Sequence, residues 1–189
     1  MKKILSISIG SSSRDHITRH VFLGQEFEIT RRGTNGDVNK AAQLYREMDG
    51  KVDAFGVGGT GFYLQVADRR YYFREPRKFR NAIKISKVGD GSRVKGLLEK
   101  RAFMALEKYL NQKEGKSLKG MTALQTTVTE RYSMGIAMVE AGLNVTFGDF
   151  MFALGLPIPI KTLGQARVLA ALFLPIVSQV PFAWLYPLG

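Results

Sequence analysis

Gly56, Gly58, Gly59 and Gly61 stand in a G-x-G-x-x-G arrangement directly after a short apolar run at residues 52–55. Glycines so spaced let a backbone turn tightly and approach a pyrophosphate, which makes these four the candidate cofactor-binding residues. A dinucleotide fingerprint also requires a helix to open at the last glycine, whereas Phe62-Tyr63-Leu64-Gln65-Val66 alternates as a strand does. A sharp strand-to-strand turn with positive φ therefore stands ahead of the ligand-cradling loop as a reading.

A second group joins a strand end to a helix start. Gly89-Asp90-Gly91-Ser92 is followed one turn later by Lys95, and unpaired N–H groups at a helix N-terminus favour an anion. Asp90 and Lys95 are candidate catalytic residues and Ser92 a candidate cofactor ligand; capping of the helix by Asp90 or Ser92 is the equal alternative. The third group follows from the rule that ligands gather outside the carboxyl ends of parallel strands. Thr127, Thr129, Glu130 and Arg131 fall after one expected strand, Gly148 and Asp149 after the next. Glu130 and Asp149 are candidate carboxylates for proton transfer, with Arg131 neutralising a substrate or cofactor anion. An Arg131–Asp149 salt bridge is the favoured structural alternative.

Composition narrows the chemistry further. The 189 residues contain no cysteine and only two histidines, His16 and His20, so no thiolate nucleophile, disulfide or His/Cys metal centre is expected. Of the net charge of +12, +10 comes from residues 68–119, where sixteen Lys and Arg face six Asp and Glu. Tyr71, Tyr72, Phe73 and Phe79 lie among these cations. Interleaved base and aromatic residues suit a phosphate backbone, so nucleic acid is an alternative partner through residues 69–119, against the plainer reading of a solvated basic face.

The elements that must position these groups read as α/β. Leu5, Ile7 and Ile9 alternate with serines as one strand, residues 17–23 and 27–29 make a hairpin, and Val38, Ala41, Ala42, Tyr45 and Met48 form a helical stripe behind Asp37. A further hairpin turns at Ala67-Asp68, and a short strand is expected through Ile83, Ile85 and Val88. Val94, Leu97, Leu98, Ala102, Ala105, Leu106, Tyr109 and Leu110 predict a long helix with that stripe buried. Strands at residues 123–128 and 144–147 flank a helix at residues 132–141, which implies a parallel βαβ pair. The uncharged run at residues 168–186 holds Pro175 and Pro181 and reads as a buried helix-turn-helix in preference to a broken membrane span. The boundary is expected in the Gly-punctuated segment 113–119. The chain then divides into residues 1–116, a hairpin-rich α+β part, and residues 117–189, a Rossmann-like βαβ unit with an apolar helical tail that could also mediate homo-oligomerisation. Met1-Lys2-Lys3 leads straight into a strand without an apolar signal region, so the expected setting is cytoplasmic.

Met1-Lys2-Lys3-Ile4, Gly10-Ser11-Ser12-Ser13-Arg14-Asp15-His16, residues 50–59, Glu130-Arg131-Tyr132, residues 147–159 and Trp184-Leu185-Tyr186-Pro187 together resemble a bacterial family labelled quinate 5-dehydrogenase. The resemblance runs over nearly the whole chain, and family members look longer. It implies NAD(P)-linked oxidation of a small hydroxy acid such as quinate, hence an anionic ligand held by the Gly56 loop, the Asp90 turn and the strand ends at Glu130 and Asp149. Shikimate and quinate dehydrogenases carry Asn-Val-Thr-x-Pro-x-Lys, then Asn-Thr-Asp-Gly, then a Gly-rich loop. Here Gly89-Asp90-Gly91 resembles the second motif and Asn144-Val145-Thr146 the start of the first, in reversed order, and Lys95 stands for the catalytic lysine only by its nearness to Asp90.

Overall fold

The computed structural model describes residues 1–185. Its strands are β1 Lys2–Ser8, β2 His16–Phe22, β3 Gln25–Gly33, β4 Ala54–Gly58, β5 Tyr63–Val66, β6 Arg69–Tyr72, β7 Lys87–Gly89, β8 Thr122–Gln125 and β9 Asn144–Phe147. Its helices are α1 Val38–Met48, α2 Pro76–Ala82, α3 Ser92–Glu114, α4 Tyr132–Glu140, α5 Asp149–Leu154, α6 Leu163–Val177 and α7 Phe182–Leu185. This is a mixed α/β chain, divided by its internal contacts into two units: Met1–Phe62 with Phe73–Ser92, and Tyr63–Tyr72 with Arg93–Gly189.

The first unit is built on a five-stranded sheet of order β2-β3-β1-β4-β7. β1 pairs in parallel with β3 on one side and β4 on the other, so Ile4 stands between Ile29 and Ala54. β7 adds in parallel beyond β4, and β2 folds back antiparallel on β3. Strand alternation puts Leu5, Ile7, Phe55 and Val57 in the core. The matching stripe of α1 is Val38, Ala41, Ala42 and Tyr45, all buried, and Asp37 caps the helix by accepting from Lys40 N–H at 2.9 Å. Tyr45 is wholly buried, with its ring centroid 5.1 Å from that of Phe55 and 5.2 Å from that of Phe79. Its hydroxyl donates to the carbonyls of Ile7, 3.1 Å, and Gly56, 3.2 Å, joining β1 to β4; burial pushes this phenol far up from its ordinary pKa.

Two local expectations change in this unit. α2 has no counterpart in the periodicity, because seven residues opened by Pro76 are too short to show a stripe, yet Phe79 and Ala82 are buried. The strand expected through Ile83, Ile85 and Val88 shrinks to β7. Asp49, just past α1, accepts from the N–H groups of Lys84, 2.6 Å, Ile85, 3.0 Å, and Ser86, 2.8 Å. Those donors are therefore withdrawn from any sheet, and Ile85 is left in solvent.

The second unit contains the β5–β6 hairpin, which turns at Ala67 with φ 52°, and the parallel pair β8–β9 with α4 between them in sequence. Val66, Val128, Tyr132, Phe147, Ile160, Ala166, Ala170 and Leu174 form its core. The segment 113–119 lies within this unit. The tail is half-covered where it was expected to be buried: α6 sinks Ala166, Ala170 and Leu174 and leaves Val168, Leu172, Phe173 and Ile176 exposed. Tyr186 and Pro187 lie outside the described residues. No helix among the described residues is long and apolar enough to cross a membrane.

The Asp49 clasp makes the first unit acid-sensitive. Backbone donation from Ser86, then from Lys84 and Ile85, lowers its carboxyl from the ordinary 3.8 to about 2. A carboxyl depressed in the folded state contributes stability that is complete above its ordinary value and is lost as pH falls through the folded value. Urea midpoints measured by circular dichroism are expected to fall between about pH 4 and about pH 2, and Asp49→Asn to flatten part of that decline.

Candidate functional site

In the first unit the carboxyl ends of β1, β3, β4 and β7 lie along one edge of the sheet, because all four strands run parallel. From β1 the chain continues to β2 and β3 on one side. From β4 it reaches β7 on the other. The β1/β4 boundary is thus a topological switch point, from which connections leave in opposite directions.

Glycine turns meet at that boundary. Gly56 and Gly58 lie within β4, facing Ser6 and Ser8 of β1 in register. Gly59 has φ +73°, and a Cβ there would come 2.8 Å from Ile9 Cγ1 and 3.2 Å from Gly10 N. Both conformation and space demand glycine at this position. No helix opens at Gly61; β5 follows, as the alternation of residues 62–66 predicts. The N–H groups of Gly59, Thr60 and Gly61 donate to no acceptor among the described residues.

Gly10 brings cations to the same place. A Cβ on Gly10 would lie 2.9 Å from Arg14 Nη2, 3.4 Å from Arg31 Nη2 and 3.2 Å from Ser8 Oγ. Arg31 is fixed by donating to Ser11 O and Asp15 Oδ1, each at 2.9 Å, while Arg14 makes no ion pair among the described residues. Asn35, after β3, accepts from Ser12 N–H at 2.7 Å and donates to Ser12 Oγ at 3.0 Å, which pins the serine turn. Arg14, Arg31 and Asn35 were not among the nominated residues, since Gly10-Ser11-Ser12-Ser13 by itself reads as a small-residue turn. A basic residue placed just after the first strand of a parallel sheet was the available signal.

Asp90 stands at the end of β7. Its carboxylate accepts from Phe62 N–H at 3.0 Å and from Ser92 by both N–H, 3.1 Å, and hydroxyl, 2.8 Å. Burial pushes this carboxyl up, but the donors from Phe62 and Ser92 together outweigh it and hold the group below its ordinary value. Asp90 is thus an ionised clamp on the far end of the glycine turn.

In the second unit, loop 126–131 gathers the other nominated residues, each with a partner. Lys95 Nζ lies 3.2 Å from Glu130 Oε1. Asp149 accepts from Val128 N–H, 2.8 Å, and from Thr129 by N–H, 2.9 Å, and hydroxyl, 2.6 Å. The expected Arg131–Asp149 bridge does not form. Asp149 is saturated by loop donors, and Arg131 reaches Glu99 at 3.1 Å, a carboxylate whose side chain is only 6% exposed. Beneath them Gln125 donates to the carbonyls of Thr127, 3.2 Å, and Arg131, 2.9 Å, leaving its own buried Oε1 without a partner. Neither unit gathers three or more His, Cys, Asp or Glu side chains able to hold a metal among the described residues. A groove of about 670 Å³ lies between α1 and α2, lined among others by Asn39, Gln43, Arg46 and Lys78, and it contains none of the nominated residues.

Residues 3–90 match the family described as "Domain of unknown function (DUF8753)", and residues 93–189 match "Domain of unknown function (DUF8754)". No curated protein and no solved structure matches the chain.

The Glu99–Arg131 pair is the sharpest test of how loop 126–131 is held. Arg131→Ala leaves Glu99 buried without its cation and is expected to cost about 2 kcal/mol in urea unfolding, below the ~3–5 kcal/mol of a fully buried pair because Arg131 is half-exposed. Glu99→Leu combined with Arg131→Met is expected to recover most of that loss.

Proposed function

We propose that this chain, which belongs to the family described as "Domain of unknown function (DUF8754)" through residues 93–189, binds a small anionic ligand at the β1/β4 strand-end cradle of its first unit. The observation that carries this reading is that the N–H groups of Gly59, Thr60 and Gly61 have no acceptor, and Arg14 no ion-pair partner, among the described residues, with Gly59 packed against Gly10 and the Arg14 guanidinium over that same glycine. Successive free amides form a concave anion site, and a guanidinium adds a charge-assisted, two-pronged donor. Such donors suit a phosphate or a carboxylate. Arg31, largely neutralised by Asp15, supports Arg14 by position more than by net charge.

The resemblance to quinate 5-dehydrogenases names the anions to try first: a hydroxy-acid carboxylate and the pyrophosphate of NAD(P). The parallel β8–α4–β9 unit suits a Rossmann-like reading of the second half. Oxidation itself requires a group free to take the hydroxyl proton. Asp90, Lys95, Glu130 and Asp149 are each engaged in local bonds, which supports binding ahead of catalysis.

Thermal unfolding with inorganic phosphate, quinate, NAD and NADP tests the reading, because a ligand bound by the native state must stabilise it. At least one of the four is expected to raise the midpoint in a saturable way. Arg14→Ala, at an exposed position, is expected to weaken that ligand roughly tenfold or more without lowering the ligand-free midpoint. No shift with any of them at about 10 mM would remove the proposal.

A further inference from the structure

α3 is amphipathic in the opposite sense to its periodicity. Toward the unit it turns Glu99, Phe103, Glu107 and Leu110, at spacings of four, four and three, and the only one of its residues that is fully buried is the carboxylate Glu99. Glu107 accepts from Leu118 N–H, 2.7 Å, and Ser117 hydroxyl, 2.8 Å; these donors, the backbone one first, hold its carboxyl below the ordinary value. Lys95–Glu130, 3.2 Å, and Lys100–Glu140, 3.3 Å, complete a polar attachment. All of the apolar stripe expected in the core except Leu110 therefore faces solvent. Val94, Leu97, Leu98, Met104, Leu106 and Tyr109 are 42–65% exposed. So many large apolar groups left open along one helix mark an interaction surface.

We propose that this outward face of α3 docks an acidic, amphipathic helix of another protein. Val94, Leu98, Arg101, Ala105 and Lys108 follow one another at spacings of four and three, which is the seam of a helix pair. The charge along this seam selects the occupant. Every acidic residue of α3 is already engaged: Glu99 by Arg131, Glu107 by the 117–118 turn and Glu114 by Lys116. Arg101 and Lys108, seven residues apart in the seam, have no ion-pair partner among the described residues, nor do Arg93 and Lys113. A second copy of α3 would set like charges against one another. A lipid surface would press two cations in mid-stripe toward the acyl region, whereas surface-lying helices carry their cations on the polar face. A helix with Asp or Glu at heptad spacing meets both cations while its own apolar residues cover Leu98 and Tyr109.

The probe is a synthetic helical peptide of about three heptads, with Leu and Ala along its seam and Glu flanking it. Fluorescence anisotropy on the full chain is expected to show saturable binding, weakened about tenfold or more by Arg101→Glu with Lys108→Glu. A matching peptide with Lys in place of Glu is expected to bind that double variant in preference to the original chain, a reversal that a merely structural role would not produce. Both positions are exposed, and circular dichroism checks that the fold persists. The proposal is overturned if the Glu peptide does not bind or binds the double variant equally. It is likewise overturned if sedimentation shows a dimer that Leu98→Glu dissociates, or if phosphatidylserine vesicles retain the chain through Leu98 and the peptide does not compete.

Discussion

Parallel pairing of β1 on both its sides is the constraint from which the first unit follows. Parallel neighbours cannot be joined by a tight turn, so the chain must leave the sheet and return. Between β3 and β4 that return is α1, which brings Tyr45 beneath the centre of the sheet. The buried hydroxyl then finds its acceptors on the two strands that α1 has brought side by side, at Ile7 and Gly56. Because the strands share a direction, the turns after β1, β3, β4 and β7 fall on one edge. A glycine run, a serine-rich turn, Asn35 and Asp90, scattered over some eighty residues, become neighbours along it.

The second unit rests on a different balance. Its core of Val128, Tyr132, Phe147, Ala166, Ala170 and Leu174 secures the βαβ pair and one face of α6, while the loops and α3 are held by carboxylates that collect backbone and hydroxyl donors. Asp149 does for loop 126–131 what Asp49 does for residues 84–86 and Glu107 for residues 117–118. A carboxylate can gather several backbone and hydroxyl donors at once, and such charge-assisted bonds hold a loop in one conformation. Acidic residues in this basic chain are therefore mostly fasteners, and many of its cations have no ion-pair partner among the described residues.

Most of the strands, α1 and the βαβ pair were legible because each depends on periodicity and local signals carried by its own residues; β7 was the exception, since Asp49 takes the donors of residues 84–86. Leu5 and Ile7 alternate with serines, Asp37 precedes the α1 stripe, and Gly142 closes α4 with a positive φ of 80°. The glycine run was legible as a turn, since residues 62–66 alternate too clearly to begin a helix. Arg14 was not legible as part of a cradle, because what gives it meaning is the packing of its guanidinium over Gly10 beside a loop forty-five residues away. Arg131 is expected from the sequence beside Asp149, but its partner is Glu99, on a helix that no motif connects to it.

The sequence by itself determined the α/β class, the identity of the turns and the concentration of base in residues 68–119. Those are properties of short windows, in which backbone propensity, alternation and charge are fixed whatever surrounds them. Tertiary structure alone decided which face of α3 is covered. Periodicity shows that a helix has an apolar stripe, but the face that goes inward is chosen by the partners available. Here Arg131, Glu130, Glu140 and the 117–118 turn offered charge and hydrogen bonds to the polar side, and the apolar stripe remained outside. The proposed ligand cradle likewise depends on three dimensions, because amides without an acceptor among the described residues and one cation can act together only once the strand ends that carry them lie side by side.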